Sequence, residues 1–181
     1  MSKVDHDAYG VAIAPDTVRF ERLLPGPVER VWAYLTEADK RRQWLARGEM
    51  ELRPGSHAEL SFHHSDFTDE PTPEKYKGME EDMNWPCRIT EFDPPRVLGI
   101  SWPGDGMESE VVFELFPEGE KVLLVVTHKR LANRGEMIDV SGGWHAHLGV
   151  LAALLEGGEK PPFWGRIEKL EADYRKRYGA S

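Results

Sequence analysis

Apolar and polar positions alternate along much of the first two thirds of the chain, then shift to a helical period. Residues 18–24 (VRFERLL) set Val18, Phe20 and Leu24 in one register with Arg22, which predicts a strand. Pro25-Gly26-Pro27 stops it, and Pro27 suits a first helical turn. Val28, Val31, Trp32 and Leu35 then follow helical spacing through Thr36, and a second short helix is expected over 37–45. Residues 49–53 and 57–64 flank Pro54-Gly55 as a hairpin would. The acidic, proline-bearing stretch 65–77 (SDFTDEPTPEKYK) predicts a long exposed loop.

Four more runs read as strands: 85–92, 96–102, 108–116 and 121–131. Asp93-Pro94-Pro95, Pro103-Gly104 and Pro117-Glu118-Gly119 separate them. The last run, KVLLVVTHKRL, is the most apolar and is expected inside the sheet. Short strands joined by tight turns predict an antiparallel sheet.

The final third is helical. Ser141 is a candidate N-cap, and Gly142-Gly143 would let the chain turn from a loop into the helix. Trp144, Leu148, Leu151 and Leu155 form one face, and Gly157-Gly158 ends the element. After Pro161-Pro162 a last helix carries Phe163, Ile167, Leu170 and Tyr174 on one face, with basic residues near its C-terminus. The expected organisation is an arm over 1–16, one domain over 17–158, and a helical extension over 159–181 packed on it. The fold class is α+β: a curved antiparallel sheet covered by one long helix, with space between them that side chains need not fill.

Composition narrows the function classes. The chain has 181 residues and a net charge of −9, from 23 basic and 32 acidic side chains. That balance opposes a phosphate-backbone footprint, so nucleic acid is not an expected partner. Lys40-Arg41-Arg42 is a local basic run, read as a solvated helix face. No apolar run approaches the roughly 20 residues that span a bilayer. The start, MSKVDHDAYG, lacks the basic region and apolar core of a secretory signal, so the expected location is cytoplasmic. A homodimer is compatible with these features.

The candidate chemistry is sparse. His145 and His147 lie about 200° apart on a helix and cannot hold one metal ion together. His147 is expected to flank the sheet-facing side, and His145 to look toward the cavity mouth or solvent. His63-His64-Ser65-Asp66 offers His64 with Asp66 but no third ligand. Cys87, the single cysteine, reads as a buried, inert thiol. Glu80-Glu81-Asp82 reads as surface charge. Strand alternation puts Leu124, Val126 and His128 on one face, which makes His128 the candidate polar group of the chamber. No phosphate loop, nucleophile triad or dinucleotide fingerprint is present, and no cofactor is called for.

Four segments carry a resemblance. FERLLPGPVERVWAYLTEADKRRQWL (20–45), FDPPRVLGISW (92–102), VVFELFPEGEKVLLVVTHKRL (111–131) and GGWHAHLGVLAAL (142–154) are similar, in order, to START-like (SRPBCC) domains. The nearest branch is the one named after the activator of the heat-shock-protein-90 ATPase. The resemblance implies the helix-grip fold and binding of a hydrophobic or aromatic small molecule between sheet and C-terminal helix. Joined to the strand and helix patterns, it suggests walls from Trp44, Phe62, Trp85, Trp102, Phe113, Val126, Trp144 and Leu148, with His128 as polar contact. It also implies two other readings: a co-chaperone-like domain docking a chaperone partner, and a cyclase- or hydrolase-like enzyme using His128 or His145.

Overall fold

The computed structural model describes residues 8–79, 83–102 and 108–179. The expectations for Pro103-Gly104 and Glu80-Glu81-Asp82 lie outside these residues. The strands are β1 (Val11–Ala14), β2 (Thr17–Pro25), β3 (His57–Phe62), β4 (Met83–Asp93), β5 (Val97–Trp102), β6 (Ser109–Glu118) and β7 (Lys121–Lys129). They form one antiparallel sheet in the order β1-β2-β7-β6-β5-β4-β3. The helices are α1 (Val28–Thr36), α2 (Ala38–Arg41), α3 (Arg134–Glu156) and α4 (Trp164–Arg177). This is the α+β helix-grip architecture, with two short helices after β2 and an added C-terminal helix.

The most apolar strand, β7, lies between β2 and β6. Its register sets Val126 between Phe20 and Phe113, and His128 between Val18 and Val111. All six of these residues are buried, because period-two alternation sends them to the face that α3 covers. Trp144, Leu148, Leu151 and Leu155 are buried on α3. Each such side chain contributes about 1.5–3 kcal/mol relative to exposure.

Several local expectations are corrected. α3 begins seven residues before Ser141: Asn133 Oδ1 accepts the Glu136 N–H at 2.9 Å, and Glu136 Oε2 accepts the Ala132 N–H at 2.7 Å. The arrangement resembles a capping box, with the Glu136 carboxylate reaching the N–H one residue before the cap, and it sets the helix start ahead of Ser141. Ser141 sits mid-helix, its hydroxyl 2.8 Å from Tyr178 Oη. Gly142 and Gly143 therefore lie inside the helix and make no hinge.

α2 covers only Ala38–Arg41, shorter than the expected 37–45. Arg41 leaves the expected solvated face and is buried, donating to the carbonyls of Leu35, Thr36 and Gly48. These bonds tie the end of α1 to the chain at Gly48, while Trp44 and Leu45 are buried nearby. Residues 49–53 form no strand; only the bridges Arg47–Ser61 and Met50–Ala58 connect this stretch to β3. Within the N-terminal arm, β1 pairs with β2, and the Gly10 N–H donates to Tyr174 Oη at 2.7 Å.

Candidate ligand-binding cavity

One end of the α3–sheet interface is not filled. A cavity of about 210 Å³ lies there, lined by Leu45, Phe62, His64, Trp85, Trp102, Asp139, Val140, Gly143, Trp144 and His147. Its walls are mainly aromatic. Ring centroids stand 4.7 Å apart for Phe62 and Trp85, 5.5 Å for Trp85 and Trp102, and 5.3 Å for Trp102 and Trp144. Each element supplies part of the wall: β3 brings Phe62, β4 Trp85, β5 Trp102, and α3 Trp144 and His147. Asp139 is exposed, while Val140 and Gly143 are half-buried, so this first part of α3 forms the rim.

His147 is the best-defined polar group of the wall. Its Nδ1 lies 2.8 Å from the Trp44 carbonyl oxygen. A carbonyl only accepts, so Nδ1 carries the proton in the neutral ring and Nε2 presents a lone pair. Burial pushes its pKa down to about 3, the neighbouring His64 adds to this, and the Trp44 bond opposes it. His64 is also buried, its ring centred 6.2 Å from that of His147.

Of the residues expected to form the chamber, Phe62, Trp85, Trp102 and Trp144 line this cavity. Trp44, Phe113, Val126, His128 and Leu148 do not; all five are buried in the surrounding core. Trp44 acts indirectly, holding His147 through its carbonyl while its indole N–H donates to the Tyr34 carbonyl at 2.8 Å. Both nitrogens of His128 are occupied by protein groups: Nδ1 accepts the Trp144 indole N–H at 3.0 Å, and Nε2 lies 2.8 Å from Ser109 Oγ. Its expected place in the chamber is thereby corrected. Strand alternation identifies the inward face but not whether the helix packs directly on a given rung.

His145 is also corrected: it faces neither mouth nor solvent. It is buried under α4, with Nδ1 2.8 Å from Tyr174 Oη. The sequence reading missed Leu45, His64, Asp139, Val140, Gly143 and His147 as lining residues. For Asp139 and Val140 the available signal was the Asn133–Glu136 cap, which starts the helix early enough to include them.

The stretch 65–77, expected as an exposed loop, is fastened beside the cavity. Phe67 is buried against His64, His147 and Phe163. Glu70 accepts the backbone N–H groups of Phe163, Trp164 and Gly165 at 2.6, 3.0 and 2.9 Å, capping α4 from a distance. Burial pushes the Glu70 carboxyl up, but the Gly165, Thr68, Phe163 and Trp164 donors together hold it below the usual range. Tyr76 stacks on Trp164 at 5.1 Å, and Lys75 pairs with Glu171 at 2.6 Å. Asp66 takes a two-bond contact from Arg47 at 2.6 and 2.7 Å, which with Arg42 keeps its carboxyl below its ordinary range. Among the described residues no three His, Cys, Asp or Glu are grouped to hold a metal ion. No described helix is long and apolar enough to cross a membrane.

A family model described as Activator of Hsp90 ATPase homolog 1-like protein matches residues 25–156. The chain belongs to this family. The match to the Activator of Hsp90 ATPase homolog 1-like family runs from the last residue of β2 to the last residue of α3, and so contains every lining residue of the cavity. Solved structures extend the likeness. A solution NMR structure of the protein encoded by BPP1335 from Bordetella parapertussis shares 45% identity, covers 97% of this chain and 95% of its own, and has a TM-score of 0.82. CalU16 from Micromonospora echinospora shares 22% identity over 91% of this chain and 86% of its own, at a TM-score of 0.65. EF2215 from Enterococcus faecalis, a conserved protein of unknown function, shares 19% over 92% and 87%, at 0.66. These two support the fold alone. The comparison with curated proteins found no match.

Proposed function

We propose that the protein binds a small apolar or aromatic molecule in the cavity between the sheet and α3. The observation that carries this reading is the void itself: about 210 Å³, walled by Phe62, Trp85, Trp102 and Trp144. An apolar void of about 150 Å³ accepts a benzene-sized guest. Drug-sized sites run from about 300 to 1,000 Å³. The size therefore favours a one-ring compound with small substituents over a polyketide or lipid chain. Membership in a family of helix-grip domains that bind hydrophobic ligands supports the same reading. The chain has a single, buried cysteine and so no internal disulfide, which is in keeping with action in the cytoplasm.

The test is an NMR titration with toluene. Saturable shifts confined to Phe62, Trp85, Trp102, Trp144 and their neighbours are expected. A Cβ built on Gly143 meets nothing within 4 Å, so G143L should fill the rim without unfolding the helix and abolish those shifts. Binding that survives G143L, or shifts spread over the surface, would refute the proposal.

A further inference from the structure

We infer that the ligand of this cavity carries an O–H or N–H donor on a small uncharged aromatic ring, and that Nε2 of His147 accepts it. The inference rests on the cavity being a binding site. It starts from a fixed tautomer. The Trp44 carbonyl takes the Nδ1 proton of His147 across 2.8 Å, so Nε2 is left as an acceptor. The imidazole lines the cavity and is only 8% exposed. Nε2 has no hydrogen-bond partner among the described residues. Nε2 is thus an open acceptor on a cavity-lining ring, and a donor on the guest would pair with it there.

Most of the rest of the wall is apolar ring and aliphatic surface. The Trp144 indole N–H is already given to His128 and is not available to a guest. Phe62 and Leu45 offer only apolar surface. Asp139 at the rim is another acceptor type, and the protein is strongly acidic as a whole, so a carboxylate or phosphate ligand is disfavoured. His147 stays uncharged near neutral pH because burial depresses its pKa, so it serves as a hydrogen-bond acceptor and not as a cation. What fits is a neutral ring of phenol or arylamine type.

The experiment titrates wild type, H147F and H147N with phenol, anisole and toluene, followed by NMR. Anisole keeps the ring and oxygen of phenol but has no donor. In H147N the amide nitrogen can still donate to the Trp44 carbonyl, and its amide oxygen stands near the Cδ2 position of the lost ring, so no acceptor remains at the Nε2 position and the variant answers the question if H147F does not fold. The phenol-to-anisole affinity ratio should be roughly two- to tenfold higher in wild type than in the variants, as one neutral hydrogen bond implies. In wild type, the ¹⁵N resonance of His147 Nε2 should move upfield with phenol and stay in place with anisole. An equal ratio in wild type and H147N, with a still Nε2 resonance, overturns this inference and leaves the cavity reading intact. No saturable binding of any of the three probes overturns both.

Discussion

Trp144 of the closing helix donates its indole N–H to Nδ1 of His128 in the sheet, across 3.0 Å. Because an indole nitrogen only donates, the bond fixes the tautomer: Nε2 of His128 carries the proton and gives it to Ser109 Oγ, 2.8 Å away. The Ser109 hydroxyl then donates to the Trp102 carbonyl at 3.2 Å. The chain of bonds joins α3, β7, β6 and the end of β5 within the core, directly behind two aromatic walls of the cavity.

Replacing His128 by Phe keeps the approximate shape but leaves the Trp144 N–H buried without an acceptor. The expected loss is about 1–3 kcal/mol of stability, read from urea denaturation. Toluene affinity should change less than twofold, because His128 does not line the cavity. A large loss of affinity with unchanged stability would contradict this placement.

Acidification should weaken the fold before the carboxylates titrate. Burial lowers the pKa of His128 to about 3, and that of His147 to about 3 as well. In the unfolded chain both return to their ordinary value near 6.5 and bind protons first. Their contribution is thus complete above about pH 6.5 and is lost as pH falls toward 3, by up to about 1.4 kcal/mol per pH unit for each group. Urea midpoints at pH 7, 6 and 5 should fall in step, with a shallower slope in H128F. A midpoint constant down to pH 4.5 would sink the prediction.

Two adjacent glycines should respond differently to alanine. A Cβ at Gly143 meets open space, whereas one at Gly142 comes within 3.0 Å of Glu171 Cγ on α4. G143A should raise stability by about 1 kcal/mol through helix propensity. G142A should gain little, since the Glu171 side chain must give by a few tenths of an ångström to admit the methyl, and G142V should destabilise by about 1–3 kcal/mol. Thermal unfolding of the three variants checks the order.

Glu70→Ala removes the acceptor shared by three backbone N–H groups at the start of α4. A cost of about 0.5–2 kcal/mol is expected, as for loss of an N-cap. Amide exchange at Phe163, Trp164 and Gly165 should accelerate while the middle of α3 keeps its protection. Uniform acceleration throughout would mean that Glu70 supports the whole fold and not this strap.

Much of the architecture was legible beforehand, and the exceptions have particular causes. The strands over 18–24, 96–102 and 121–131 are visible because one face of each meets the core while the other meets polar surroundings. α3 is different. His145 and Ser141 contact α4 while Trp144, Leu148 and Leu151 are buried in the main core, so the helix is buried on more than one side and its period is blurred. Its true start is marked only by the polar pair Asn133 and Glu136. The 65–77 stretch reads as loop because its anchors, Phe67, Glu70 and Lys75, find partners nearly a hundred residues away.

Element order, the buried face of each strand and the cap that starts α3 follow from local backbone geometry, which adjacent residues encode. The identity of the cavity wall does not. His128 and His147 are both histidines set among apolar neighbours, yet one is sealed by Trp144 and Ser109 and the other keeps a nitrogen without a partner among the described residues. That difference arises where α3 crosses the sheet and where Trp44 and Phe163 approach it. These contacts join segments far apart in the chain, so they exist only once the whole molecule has packed.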